Sequence, residues 1–217
     1  MSSSDPIVIL NLFQDLPPPL QRTHHTKQPC NSATIPSRRA HLAGNTPPPK
    51  ENMPLASPLQ TLANSIATLL KERGETVAVA ESSTGGLVSA ALLAVPGASA
   101  YFMGGSVVYT KTARDEFLGI DFDNHPGMRS ASEPYAALLA KTSRELLKTT
   151  WGISETGASG PTGNPYGDAP GHTCVAVVGP TTEAASTLET ALTDRETNMQ
   201  LFAEHCLQNF EDILLKA

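Results

Sequence analysis

From residue 57 onward, short apolar runs alternate with longer segments whose apolar residues recur every three or four positions. That alternation restricts the fold more than any other feature of the chain, because it is the pattern of a sheet covered by helices on both faces. Ser57 has the side chain of an N-cap, Pro58 suits the first helical position, and Leu59, Leu62, Ile66, Leu69 and Leu70 share a helical spacing that Gly74 closes. Thr76–Ala80 then reads as a buried strand and Gly85–Val95 as a helix stopped by Pro96-Gly97. A second strand is predicted at Gly105–Thr110 and an amphipathic helix over 132–150, with Leu138, Leu139, Leu146 and Leu147 on its apolar side. Gly152–Thr156 is a weaker strand, His172–Val178 the clearest one, and a further strand is predicted near 185–192. Asp194 caps a last helix whose Met199, Phe202, Cys206, Phe210 and Ile213 share one face. The short hop between the last two strands fits a hairpin, so the sheet is expected to be mixed; a parallel pair needs a long crossover.

Residues 1–52 have a different character. They hold nine of the eighteen prolines, including Pro-Pro-Pro at 17–19 and again at 47–49, and read as a disordered tail ahead of a domain at 53–217. Ile7–Phe13 is its one apolar patch. The tail carries five basic and three acidic residues, +2, and the remainder ten and eighteen, −8, which together make the net −6 of the chain. An acidic body argues against nucleic acid as the main partner, since phosphate backbones need a basic face. A small anion held by a few local donors remains compatible. No apolar run approaches the ~20 residues that cross a bilayer. No secretory signal is read at the start; residues 20–50 are basic and Ser/Thr-bearing like a transit peptide, but Asp5 and Asp15 break that pattern, so a cytoplasmic location is expected ahead of a mitochondrial one. The three cysteines, Cys30, Cys174 and Cys206, are too scattered for a disulfide framework, and no histidine spacing resembles a metal site.

Three stretches could carry chemistry. Ala80-Glu-Ser-Ser-Thr-Gly-Gly-Leu87 follows a predicted strand and opens a helix. A serine there has the setting of a nucleophile, with the amides of Thr84, Gly85 and Gly86 as oxyanion donors. The same residues also describe an ordinary N-cap with glycines for tight packing. The Gly/Pro loop after Thr156 exposes amides and hydroxyls, through Gly157 and Gly160 among others, and its prolines favour one path. Tyr109, Lys111 and Arg114 place a phenol and two cations after the second strand, where a solvated helix start is the competing reading. His172, beside the Gly/Pro loop, lies within reach of the same region.

Taken together the motifs resemble the CinA C-terminal (nicotinamide-nucleotide amidohydrolase) family. The family's A-E-S-C-T-G-G appears as Ala80-Glu-Ser82-Ser83-Thr-Gly-Gly86, with Ser83 in the cysteine position. Its V-P-G-S-S-x-x-F-x-G-G-x-V-x-Y stretch appears as Val95 to Tyr109, its L-G-V as Leu118-Gly-Ile120, and its V-S-E as Ala131-Ser-Glu133. Its T-G-I-A-G-P appears as Thr156 to Pro161, and its late G-D-R as Thr193-Asp194-Arg195. The resemblance spans 57–217 and implies a three-layer α/β/α domain with a mixed, mostly parallel sheet. It implies an amidase that converts nicotinamide mononucleotide to nicotinate mononucleotide and ammonia, with no metal or other cofactor and a small-molecule nucleotide as its partner. Homo-oligomerisation stays open. Carried over by position, Ser82 is the nucleophile, Tyr109 the phenol beside it and Thr156 the supporting hydroxyl. The family's lysine falls on Arg114, which cannot lose its proton and so cannot serve as a base. Two substitutes follow: Arg114 stabilising a tyrosinate at Tyr109, or Lys111 moving into the lysine's place. A nucleotide-binding homologue without turnover is the alternative.

Overall fold

The computed structural model describes residues 57–217; the Pro-rich segment 1–52 and its Ile7–Phe13 run lie outside the described residues. Ten principal elements follow in order: α1 (Pro58–Arg73), β1 (Val77–Glu81), α2 (Leu87–Leu93), β2 (Phe102–Val107), α3 (Lys111–Leu118), α4 (Glu133–Leu147), β3 (Trp151–Ala158), β4 (His172–Val178), β5 (Glu183–Glu189) and α5 (Arg195–Leu214). The strands form one sheet in the order β2-β1-β3-β4-β5. Pairings β1–β2 and β1–β3 are parallel, and β3–β4 and β4–β5 antiparallel. Four strands therefore run one way and β4 alone runs back, which is the mixed sheet that the pattern implies.

Helices cover both faces. On one face α1, α2 and α5 close over Val77, Val79, Ile153, Val175 and Val177, with Ile66, Leu92, Tyr101, Leu207 and Phe210 filling the layer. On the other, Leu139 and Tyr135 of α4 pack with Val108, Leu118 and Ile120, while Ala136 and Ala140 meet Cys174, Ala176 and Val178. Central strands buried on both faces need apolar side chains at every position. All of β4 is buried accordingly, whereas the edge strand β5 alternates between half-buried and exposed.

Local chemistry sets the boundaries. The Ser57 hydroxyl accepts from Gln60 N and Gly74 closes α1 at φ 63°, as the sequence anticipates. Three boundaries differ from expectation. The helix predicted from Gly85 begins at Leu87, because Gly85 and Gly86 sit at φ 65° and 105° and belong to a turn. The second strand lies at 102–107, ahead of the predicted 105–110. It pairs with β1 from Val77↔Phe102 onward, and the chain leaves the sheet at Val108 so that Thr110 can cap α3. The last strand stops at Glu189, opposite His172 where β4 begins, because an edge strand has no ladder beyond its neighbour. The expected β4–β5 hairpin forms, closed by Gly179 N–H donating to Thr182 O at 2.7 Å.

Gly152 fixes how closely α4 approaches β3. A Cβ there would stand 2.1 Å from Ala140 O and 2.7 Å from Arg144 Cβ. Both obstacles belong to α4, and the nearer is backbone. Gly152→Ala is expected to destabilise the protein by about 1–3 kcal/mol by forcing the helix off the sheet, read as a lowered denaturant midpoint at unchanged slope.

Candidate active site

Because β1, β2 and β3 are parallel, their carboxyl ends share one edge of the sheet, where α/β folds place ligands. Ser82 follows β1 directly, Tyr109 lies two residues past β2, and Thr156 is on β3 near its end. All three line one cleft of about 420 Å³, together with Lys111, Arg114, Tyr135, Gly157 and Tyr166. Linear separations of 27 and 74 residues are thus closed by strand topology alone. Ser82 is half-buried and Tyr109 is exposed at the cleft mouth. Thr156 is buried, and its Oγ1 accepts from Ala131 N–H at 3.2 Å. That contact leaves the Thr156 hydroxyl hydrogen free to donate.

The turn between β1 and α2 is organised differently from the expectation. Its amides do not wait for an oxyanion. Ser82 N–H and Thr84 N–H donate to Glu155 Oε2 at 3.2 and 2.8 Å. Gly86, Val88 and Ser89 N–H donate to the Glu81 carboxylate at 2.9, 3.1 and 2.8 Å. Gly85 N–H bonds Ser82 O at 3.2 Å. The Thr84, Gly85 and Gly86 donors assigned to an oxyanion from the motif are therefore engaged within the protein, and Thr84 is buried beneath the turn. The two carboxylates responsible, Glu81 and Glu155, are both 0% exposed. Glu155 was outside the sequence-based candidates. Its signal is a charge inside a predicted strand, and nothing in the linear sequence connects it to Ser83, to which it bonds.

The cations also sort out differently. Arg114 reaches the cleft wall, but its Nε donates to Ile120 O at 2.9 Å, its Nη2 to Asp115 Oδ1 at 2.8 Å, and its guanidinium lies 3.7 Å from the Phe122 ring centroid. Lys111 is paired with Asp115, and that hydrogen bond pushes its ammonium pKa up, the wrong direction for a base. The cation beside Tyr109 is Arg195, whose Nη2 donates to Tyr109 Oη at 3.2 Å and whose Nη1 donates to Gly160 O at 2.8 Å. Arg195 is the arginine of the late motif; its position 86 residues from Tyr109 concealed the pairing. Tyr135, on the α4 side of the cleft, is pushed up to about 12 by burial, against an opposing effect of Arg114, and keeps its proton.

The Gly/Pro loop is tied down on two sides. Gly160, at φ 104°, passes so close to Thr193 O that a Cβ would stand 2.7 Å away. Buried Asn198 donates to Ser159 O at 2.8 Å and to Leu192 O at 2.9 Å. On the other side Arg129 forks Asp168 at 2.6 and 3.1 Å. His172 does not line the cleft. It stands behind Ala131, its Nε2 3.0 Å from Ala131 O and its Nδ1 against Glu189, and so supports the wall on which Thr156 also bears.

A family model described as the CinA C-terminal domain matches residues 59–214. The chain belongs to the CinA C-terminal domain family. A CinA-like protein of Prochlorococcus marinus (strain MIT 9313) is 40% identical over 121 residues, covering 56% of this chain and 28% of that protein. One from Desulforapulum autotrophicum is 34% identical over 143 residues, covering 66% of this chain and 34% of that protein. The chain thus spans about a third or less of these relatives' length. Among solved structures, a competence-damaged protein (CinA) superfamily protein of Klebsiella pneumoniae 700603 superposes with a TM-score of 0.69 at 21% identity, over 73% of this chain and 99% of that one. The Escherichia coli CinA superfamily protein gives 0.67 at 24%, over 75% and 94%. At these identities the structures establish a shared α/β fold.

Burial works against the Asp168 carboxylate, but hydrogen bonds from Arg129 and Asn164 and the nearby His172 outweigh it and hold the carboxyl below its usual range. A depressed folded value contributes stability above the unfolded carboxylate pKa and loses it as pH falls through the folded one. Limited proteolysis within 161–171 is therefore expected to accelerate only below about pH 4 in the wild type. In Asp168→Asn it should already be fast at neutral pH.

Proposed function

We propose that the chain is a serine amidohydrolase that converts nicotinamide mononucleotide to nicotinate mononucleotide and ammonia. The observation that carries this reading is the meeting of Ser82, Tyr109 and Thr156 in one cleft at the ends of three parallel strands. Ser82 Oγ bonds to the carboxamide carbon while its proton passes to Tyr109 Oη. Arg195, already donating to that oxygen, compensates the negative charge the phenol must carry to accept it. The free Thr156 hydroxyl hydrogen donates to the carbonyl oxygen, since the turn amides are engaged by Glu81 and Glu155. The C–N bond then breaks, ammonia leaves with the proton, and water clears the acyl-enzyme. The partner is a small nucleotide, and the proposed setting is cytoplasmic.

A second reading has its own observation: the cations at the family's lysine position and beside it are both bonded to Asp115, so neither is a free base. A nucleotide-binding homologue without turnover would have this arrangement. Ammonia release and the thermal shift on adding nicotinamide mononucleotide separate the two, since stabilisation without ammonia favours the binder.

Ser82→Ala is expected to lower kcat by at least about 10³-fold while the thermal midpoint stays close to wild type, because the half-buried hydroxyl has no role in the core. Ammonia release at the wild-type rate would remove Ser82 from the mechanism. Arg195→Ala should cost about 10–10³-fold in kcat/KM; an unchanged value would place the proton elsewhere than on Tyr109.

A further inference from the structure

Glu81 and Glu155 are fully buried, and among the described residues neither has an ion-pair partner. Their surroundings are a closed set of donors. Glu155 meets Ser82 N–H, Thr84 N–H and the hydroxyls of Ser83, Thr84 and Thr173. Glu81 meets Gly86, Val88 and Ser89 N–H and the same Thr84 hydroxyl. Thr84 Oγ1 stands 2.9 Å from Glu81 Oε2 and 2.9 Å from Glu155 Oε2. A hydroxyl carries one hydrogen and can donate to only one of them. Two bare carboxylates would leave the other contact as oxygen against oxygen, in a site closed to bulk solvent.

One added proton removes the second charge from that contact, and the partners decide where it sits. Three of the four donors to Glu81 are backbone N–H groups, which cannot turn to accept. Both partners of Glu155 Oε1, the Ser83 and Thr173 hydroxyls, can. We propose that Glu155 carries a proton in the folded protein on Oε1, which faces the Ser83 and Thr173 hydroxyls, while Oε2 accepts from the turn amides and Thr84 Oγ1 donates to Glu81. In that neutral form Glu155 is the positioning residue that holds the Ser82 turn. The inference deepens the amidohydrolase reading and rests on it for the role of Ser82. Like charge in a dry site favours one neutral member, and burial raises the Glu155 pKa above the usual carboxylate range. The charged and titratable groups around Glu155 are Glu81 from β1, across the shared Thr84 hydroxyl, and the Cys206 thiol from α5, itself held protonated by burial and bonded to Ser154 O; β4 contributes the Thr173 hydroxyl, and α2 offers only amides to Glu81.

The test compares the full chain with Glu155→Gln and Glu155→Ala. Glutamine can set its oxygen at the Oε2 position, where the amides donate, and its NH2 toward Ser83 and Thr173, whose hydroxyls can accept. At neutral pH the infrared difference spectrum between wild type and Glu155→Gln should contain the carbonyl stretch of a protonated carboxyl, assigned to the wild type. A spectrum with only ionised-carboxylate bands overturns the neutral Glu155. The stability gap should also move with pH. The native wild type retains a proton that its unfolded chain releases above about pH 4.5, so its stability falls as pH rises through the range up to the folded value. Glu155→Gln lacks that loss, and the difference in thermal midpoint should shift in its favour from about pH 5 to 8; a constant difference overturns the proton.

For the turn itself, amide exchange across 82–86 should quicken by about tenfold or more in Glu155→Ala and return toward wild type in Glu155→Gln. Ammonia release should follow, with kcat down by about 10²-fold in the alanine variant and at least about a tenth of it recovered in glutamine. A glutamine variant no better than alanine in both measurements overturns the positioning role. If the wild type releases no ammonia, the amidohydrolase reading fails by itself, while the infrared band, the pH-dependent gap and the exchange rates still decide the proton and the turn.

Discussion

Two buried carboxylates take the place of solvent beneath the strand-to-helix turn, and the candidate site depends on them. A turn that connects a central strand to a covering helix must bury backbone N–H groups that neither ladder nor helix can satisfy. Here Glu81 and Glu155 accept five of them, at 82, 84, 86, 88 and 89. The turn is thereby set against β3 as well as β1, and the residue presented above it is Ser82. An orphaned amide in such a place costs on the order of 1–3 kcal/mol, so the conformation of the turn and the presence of the two glutamates are physically inseparable.

Sheet topology supplies the second half of the arrangement. Parallel neighbours on both sides of β1 bring the chain out of the sheet at one edge three times. Each exit is anchored by a different device: the glutamates at Ser82, the Thr110 cap and the Arg195 contact around Tyr109, and the Ala131 amide at Thr156. The Gly/Pro loop then closes over this edge along a path that requires glycine at 160 because Thr193 O occupies the space a side chain would need. Arg195 connects these parts, since one guanidinium reaches both the loop and the phenol.

The placement of charge separates the plausible proton acceptors. Arg114 braces the wall of the cleft, stacked on Phe122 and bonded to Asp115 and Ile120 O. Lys111 is drawn outward to the same Asp115. A single aspartate thus occupies the two cations that the motif would assign to chemistry. The phenol with a cation still directed at it is Tyr109, through an arginine from the far end of the domain.

Periodicity determined that helices and strands alternate, because burial imposes its period locally on each element, and the short connection between the last two strands determined that they form a hairpin in a mixed sheet. The motif at 80–87 likewise placed Ser82 at a strand end without any knowledge of its neighbours. Tertiary structure decided what the turn amides do, since their acceptor Glu155 lies about seventy residues away in sequence and bonds to them only when β1 and β3 are paired. It also decided which cation serves Tyr109, and that Gly85 and Gly86 belong to the turn and not to the helix. Hydrogen bonds between distant side chains have no sequence period, so nothing short of the folded sheet could reveal them.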